Sequence, residues 1–145
     1  MKNEMKLTVN SISSNESFVR VAVSAFVSVL DPTIEEINDI KTAVSEAVTN
    51  SIVHAYRDTV GKIYITVEIK DNTVKIVIRD KGCGIENVPL AMEPLYTTGG
   101  EERAGLGFAV MESFMDTLLV RSKLGKGTTV TMKKKIRSKY ATARA

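Results

Sequence analysis

Two side chains, Glu46 and Asn50, have the types and the spacing to act together on a phosphorylated ligand. They lie four residues apart in a segment with helical periodicity, so they are neighbours on one helix face. The Asn50 amide oxygen is a neutral, hard ligand that suits Mg²⁺, and Glu46 could orient a hydroxyl or take its proton. Periodicity alone also allows a plain solvent-facing pair, because both lie roughly opposite the apolar stripe of Val44 and Val48.

A glycine turn, Asp80-Lys81-Gly82-Cys83-Gly84, follows a predicted strand. Gly82 and Gly84 permit positive φ angles and let a ligand approach the backbone closely. The Asp80 carboxylate at the strand end could accept a hydrogen bond from an exocyclic amine such as that of adenine. Cys83 is interpreted as a small pocket-lining residue, although a thiol in this position could be reactive.

Gly105-Leu106-Gly107 directly precedes a predicted short helix. Free N–H groups at a helix start bind phosphate, and small residues leave them accessible. The chain has no Gly-x-x-x-x-Gly-Lys-Ser/Thr loop, and these glycines do not follow a first strand. The pattern therefore indicates a phosphate site that belongs to neither of those two common classes.

The order of these motifs resembles one ATPase superfamily, that of gyrase, histidine kinases, MutL-type repair proteins and the ninety-kilodalton heat-shock chaperones. The resemblance covers nearly the whole chain and includes Gly127-Thr128 before the last predicted strand. The run from Glu46 to Tyr56 is similar to the anti-sigma serine kinases. The chain as a whole resembles the anti-sigma F factors of spore-forming Bacillus relatives.

The resemblance implies an ATP or ADP cofactor with Mg²⁺ and two activities. One is holding an RNA-polymerase sigma factor of the sigma F type inactive; the other is phosphorylating a serine of an anti-anti-sigma protein. Glu46 would be the base or the orienting carboxylate for the substrate serine, Asn50 would hold Mg²⁺, and Asp80 would accept from the adenine amine. Further residues would support these roles: Gly82, Gly84 and Thr128 around the adenine, Thr97, Thr98, Gly99, Gly100 and Arg103 in a lid, and Gly105 and Gly107 at the phosphates.

Arg103 is in addition a candidate to neutralise the transferring phosphoryl group, because arginine stabilises that charge. No motif supports this role, and a solvated loop arginine fits the sequence equally well. Two further functions stay open: a nucleotide-gated sigma-factor-binding module without phosphotransfer, and a conformational ATPase of the chaperone or topoisomerase type. The latter class uses additional transducer domains, which 145 residues do not supply.

The elements around these motifs predict a two-layer α/β (α+β) sandwich. Helices cover one face of a mixed, mostly antiparallel sheet, with the nucleotide between the layers. The predicted helices run from Glu16 to Leu30, from Thr33 to about residues 54–57, and from Gly105 to about Asp116. A first strand around Met5 to Val9, the hairpin 62–78 and strands at 117–122 and 128–136 form the sheet, and residues 86–104 form a long loop.

The helix Glu16–Leu30 is apolar on nearly all sides, which predicts burial on more than one side and hence a homodimer. Arg20 is the charge in its middle. It is either a surface side chain whose head group reaches water or an anchor for a protein partner.

Length and composition predict one domain, residues 1–136, followed by a basic and frayed tail, 137–145. Residues 121–145 hold nine Lys/Arg and no Asp/Glu, so the net charge of +3 comes from this end of the chain. Such a tail could contact nucleic acid or a membrane surface, but the charges lack interleaved aromatic residues apart from Tyr140. We therefore expect a solvated strand, no nucleic-acid or membrane partner, and a cytoplasmic protein without disulfides.

Overall fold

Five strands form one sheet in the computed structural model, which describes residues 2–93 and 101–137 and only the backbone of 101–105. The strands are β1 (Lys2–Asn10), β2 (Lys62–Lys70), β3 (Thr73–Asp80), β4 (Thr117–Lys123) and β5 (Gly127–Lys135), in the order β1-β2-β3-β5-β4. Every neighbouring pair is antiparallel, where the sequence predicted a mixed, mostly antiparallel sheet. The two-layer class is confirmed.

Alternation along the strands decides which sheet face is covered. In β2, Ile63, Ile65, Val67 and Ile69 are buried, while the residues between them are half-buried. The register places Val67 opposite Ile76 of β3, which continues the apolar face across the sheet. Helices pack on this face only, so the other face is open.

The helices are α1 (Ser14–Val27), α2 (Ile34–Asn50), α3 (Val88–Ala91) and α4 (Glu101–Phe114). A 3-10 turn, Ser28–Leu30, extends α1, and a π-helical turn, Ser51–Ala55, extends α2. α2 lies between α1 and α4 and contacts both. None of the described helices is long and apolar enough to cross a membrane.

The predicted start of α2 is confirmed by its cap. Thr33 accepts a hydrogen bond from the Glu36 N–H (3.1 Å), and the Glu36 carboxylate accepts from the Thr33 N–H (2.9 Å). Glu36 also accepts from the Arg137 N–H at 2.7 Å, which ties the first residue of the predicted tail to α2. Burial raises the pKa of the Glu36 carboxyl, but the hydrogen bonds from Arg137 and Thr33 outweigh it and leave this pKa below its ordinary value.

Two predictions about the segment 86–104 are wrong. It is not a continuous loop, because Val88–Ala91 is helical with an Asn87 cap, and α4 begins at Glu101 rather than at Gly105. Glu101, Glu102, Arg103 and Ala104 are good helix formers, and packing of α4 against α2 offsets the low helix propensity of the two glycines that follow. The lid residues Thr97, Thr98, Gly99 and Gly100 lie outside the described residues.

Candidate active site

Asp80 is a buried carboxylate at the end of β3, with about 5% of its surface exposed. Its Oδ1 accepts from the N–H of Gly82 (3.0 Å) and of Thr128 (3.2 Å), and its Oδ2 accepts from the Ser51 hydroxyl (3.1 Å). Burial raises the pKa of the Asp80 carboxyl, although all three hydrogen bonds act in the opposite direction. The carboxylate is thus fixed in orientation and retains acceptor capacity on Oδ2.

Sequence reasoning did not identify Ser51, which contacts Asp80 directly. Ser51 continues the helical stripe of Val44 and Val48, and a hydroxyl within an apolar stripe is the signal that could have identified it. The π-helical turn begins at this residue, with the Tyr56 N–H donating to the Ser51 carbonyl. Such turns are frequent at functional sites. Here the turn places Ser51, at the end of α2, in contact with Asp80 at the end of β3.

The glycine turn packs directly on that π-helical turn. The Cys83 N–H donates to the Ala55 carbonyl (3.0 Å), and its thiol lies 3.2 Å from the His54 carbonyl. A Cβ on Gly82 would overlap the Ala55 backbone, which explains why this position needs glycine. Gly84 has a φ of +75°, a conformation that favours glycine, and Cys83 is exposed at the pocket wall.

Thr128 lies on the opposite side of Asp80, at the start of β5. Besides its N–H bond to Asp80, its hydroxyl is 2.8 Å from the Ser122 hydroxyl. Ser122 in turn accepts from the Ile85 N–H at 2.7 Å. Thr128, which the sequence placed with Asp80, is therefore brought to it, and Ser122 is a further linking residue that the sequence did not indicate.

Glu46 and Asn50 are half-buried, and both lie close to Gly107 of α4. A Cβ on Gly107 would lie 3.0 Å from Glu46 Oε2 and 3.3 Å from both side-chain polar atoms of Asn50. The glycine lets α4 approach these two side chains closely. In this arrangement Gly105 and Gly107 lie inside the helix rather than at its start, so they are not free first-turn N–H groups.

A small cavity of about 40 Å³ lies between α2, the glycine turn and β5, and its lining includes Asn50, Ser51, Asp80, Gly84 and Thr128. Ligand pockets for drug-sized molecules measure roughly 300–1,000 Å³. Phe108 of α4 is buried in this wall. With α4 packed on α2, the cavity therefore holds too little space for a nucleotide.

Glu46 also borders a second, open groove of about 450 Å³, which is lined by Arg20 and Lys41 among others. Arg20 forms a salt bridge with Glu16 at 3.6 Å, and its side chain is 39% exposed. Glu46 thus lines the groove of Arg20, whereas Asn50, one helical turn away, lines the cavity of Asp80. The side chain of Arg103 lies outside the described part, so its predicted role is not tested.

Comparison with known proteins adds to this geometry. Residues 12–134 match the family of histidine kinase-like ATPase domains. The matched range includes the Asp80 site and the Glu46–Asn50 pair. Nucleotide binding by an ATPase domain is thereby established for this region of the chain.

The relatives agree over almost the full length. The chain is 54% identical over 138 residues to an anti-sigma F factor of a Geobacillus species, covering 94% of each chain. It is 60% identical over 136 residues to an anti-sigma F factor of Clostridium botulinum, covering 92% of this chain and 95% of the relative.

Two solved structures are similar in fold. A structure of the RsbU and RsbW domains of a Mycobacterium tuberculosis protein matches 92% of this chain and 32% of that one, with a TM-score of 0.69 and 20% identity. A blue-light activated histidine kinase of Erythrobacter litoralis matches 83% of this chain and 41% of that one, with a TM-score of 0.58 and 17% identity.

Proposed function

Since this chain belongs to the anti-sigma F factor family and carries a histidine kinase-like ATPase domain, we propose that it is an ATP-dependent protein serine kinase. It would bind and inhibit a sigma factor of the sigma F type in the cytoplasm. It would also transfer phosphate from ATP to a serine of its anti-anti-sigma protein and so inactivate that protein.

The observation that carries the proposal is the buried Asp80 carboxylate between the glycine turn and Thr128. Two backbone N–H groups hold its Oδ1, which leaves Oδ2, with its Ser51 bond, as the acceptor for an adenine amine. An oriented and desolvated acceptor discriminates strongly against bases that lack the matching donor. ATP or ADP is the ligand class with such an amine and with phosphates to reach α4.

Asn50 is the proposed magnesium ligand. Its amide oxygen would be the metal ligand; its amide nitrogen is buried and forms no hydrogen bond among the described residues, so that N–H donor is available to a phosphate oxygen. No group of three or more His, Cys, Asp or Glu that could hold a metal occurs in the described chain. Mg²⁺ needs none, because it takes one or two protein oxygens together with water and phosphate oxygens. When bound, Mg²⁺ would neutralise charge on the phosphates.

Glu46 is the proposed base for the substrate serine. It lies one helical turn from Asn50 and borders the open groove of Arg20, through which a protein hydroxyl could approach. The lid residues Thr97, Thr98 and Gly99 and, from the first turn of α4, Arg103 would contact the phosphates. Gly105 and Gly107 would do so once the start of α4 unwinds, because their N–H groups lie inside the helix. Because the cavity is small and α4 packs on Glu46 and Asn50, nucleotide entry would require the start of α4 to move away from α2.

Replacement of Glu46 by glutamine tests the kinase. The Glu46→Gln variant is incubated with γ-labelled ATP, Mg²⁺ and a candidate anti-anti-sigma protein, and phosphoserine is mapped. We expect transfer to fall by about 10²-fold or more, the usual contribution of a general base, with nucleotide and partner affinities unchanged. The matched control is Glu35→Gln, an exposed carboxylate in the first turn of the same helix.

Two outcomes would redirect the proposal. If Glu46→Gln transfers phosphate as fast as the unmodified chain, Glu46 is not the base. If the unmodified chain binds both ATP and the sigma factor but labels no serine, the alternative holds, and the protein is a nucleotide-gated sigma-factor-binding module without phosphotransfer.

We also propose a homodimer as the active form. Phe18 and Val21 of α1 are 53% and 56% exposed, although they are apolar and one turn apart. An apolar stripe of this kind on one helix is suited to a self-complementary two-fold contact.

A further inference from the structure

The open face of the sheet carries a cluster of cations at the end nearest the glycine turn. We name it the basic groove and define it by Arg79, Lys81, Arg121, Lys123 and Lys126, which are all exposed. They line a groove of about 550 Å³ beside the β4–β5 turn. The acidic residue in the same lining is Asp80, whose carboxylate is buried and already accepts three hydrogen bonds.

These cations have no acidic partners within the described chain. The salt bridges among the described residues join Lys2 to Glu68, Lys6 to Glu4, Arg20 to Glu16 and Lys134 to Asp39, and none includes a member of the basic groove. A cluster of unpaired like charges creates a positive potential that attracts anionic ligands.

The far end of the same face is different. There the register aligns Glu4, Glu68, Lys75 and Lys133 across four strands, so two acidic side chains lie beside two basic ones and the charges of the row sum to zero. The corresponding row at the near end is Thr8, Tyr64, Arg79, Thr129 and Arg121, without a carboxylate. The charge imbalance is therefore local to one end of the sheet.

Strand geometry fixes the spacing of the cations. Arg121 and Lys123 are two apart on β4 and so stand about 7 Å apart on one face. Arg79 lies two strands away from Arg121, at roughly 10 Å, because β5 separates β3 from β4. Alternate side chains of an extended peptide have the same spacing of about 7 Å, so carboxylates at every second position match the β4 pair.

Tyr64 distinguishes an acidic peptide from a single-stranded nucleic acid. Proteins that bind single strands combine cations with aromatic rings on which bases stack. The Tyr64 ring already interacts with Arg79 (4.8 Å to the ring centre) and Lys81 (5.3 Å), and Tyr64 does not itself line the groove. None of the described residues that line the groove is aromatic.

We propose that the basic groove binds an extended acidic segment of a partner protein, with carboxylates at alternate positions. This surface lies on the sheet face opposite the helices and is separate from the groove of Arg20 and Glu46. The inference does not depend on the proposed kinase activity, because none of the five cations is assigned a role in nucleotide binding.

The test uses a fluorescein-labelled peptide in which glutamate alternates with serine, measured by fluorescence anisotropy with the full chain at low and at physiological salt. We expect binding that weakens as salt rises, and a loss of about five- to tenfold in affinity in the double variant Arg121→Gln/Lys123→Gln. The matched control is Lys133→Gln/Lys135→Gln, which removes the same charge at the same spacing from β5. ATP binding by both variants verifies that they are folded.

Three results would overturn the proposal. One is no binding of the peptide at low salt. Another is an equal loss of affinity in both double variants, which would make the effect one of net charge. The third is tighter binding of a labelled oligothymidylate of matched charge than of the peptide, with the loss again confined to Arg121→Gln/Lys123→Gln, because the groove would then be a nucleic-acid surface.

Discussion

Substitution of Asp80 should affect stability and ligand binding differently, because a buried charge destabilises the fold but can bind a ligand. In Asp80→Asn the amide oxygen can still accept from Gly82 and Thr128, and the amide nitrogen can donate to Ser51. We therefore expect the free energy of unfolding to stay within about 1 kcal/mol or to rise. The amide nitrogen would face the adenine amine as a second donor, and ATP affinity should fall by about 10- to 100-fold.

Calorimetric titration with ATP and urea unfolding measure the two effects. Asp58→Asn, an exposed carboxylate in the loop before β2, is the control and should change neither quantity. ATP affinity retained in Asp80→Asn would remove Asp80 from the adenine site. A large loss of stability would show instead that the hydrogen-bond rearrangement described above does not occur.

Ser51 should control the pH at which nucleotide binding is lost. Its hydroxyl donates to the ionised Asp80 carboxylate and thereby lowers a pKa that burial raises. Ser51→Ala removes this donor, so the pKa rises further and Asp80 is protonated at higher pH. We expect the acid limb of a plot of ATP affinity against pH to move to higher pH, with little change well above it. An unmoved limb would mean that Asp80 does not govern the pH dependence.

Among the elements, the contact between the glycine turn and the π-helical turn positions Asp80. A Cβ at Gly82 would overlap the backbone of Ala55, whereas a Cβ at Gly125 would meet nothing within 4 Å. Because the added methyl group has no room, Gly82→Ala should cost about 2 kcal/mol or more in the free energy of unfolding and should also weaken ATP binding. Gly125→Ala, whose φ is +79°, should cost about 1–2 kcal/mol without affecting ATP binding. Equal effects in urea unfolding would contradict this contact.

The strands and α2 could be predicted from the sequence because their signals are local. Alternation identifies β2 and β3, and the Thr33–Glu36 spacing identifies the cap of α2. The start of α4 could not be predicted, because Gly105 and Gly107 are typical of a break in a helix. Gly107 is instead a site of close approach to Glu46, a tertiary requirement that local propensity does not contain.

The site was predictable to the same extent. Asp80, Gly82 and Thr128 converge as the motif order indicated, since the end of β3 and the start of β5 are neighbours at one end of the sheet. Ser51 and Ser122 were missed because single serines form no motif. Their roles depend on hydrogen bonds between residues 29 apart in one case and 37 apart in the other.

The whole molecule presents three surfaces: the cavity between the layers, the basic groove on the open sheet face, which adjoins that cavity at Asp80 and Thr128, and the outer side of α1. α1 buries Val19, Val23 and Val27 in the core and leaves Phe18 and Val21 exposed on the other side. An apolar helix that is covered on only one side is expected to acquire a second contact.

Replacing that outer side should therefore separate the protomers. In a two-fold contact each residue contributes from both protomers, so each substitution removes two apolar side chains from the interface. Phe18→Ser/Val21→Ser should therefore raise the dimer dissociation constant by about 10²-fold or more. The control is Ile34→Ser/Val60→Ser, which removes two apolar side chains that are 80% and 61% exposed elsewhere on the surface. Sedimentation at micromolar concentration should give a dimer for the unmodified chain and the control, and a monomer for the α1 variant. If the unmodified chain is a monomer, the homodimer proposal is wrong, and the exposed side of α1 is then a candidate surface for the sigma factor alone.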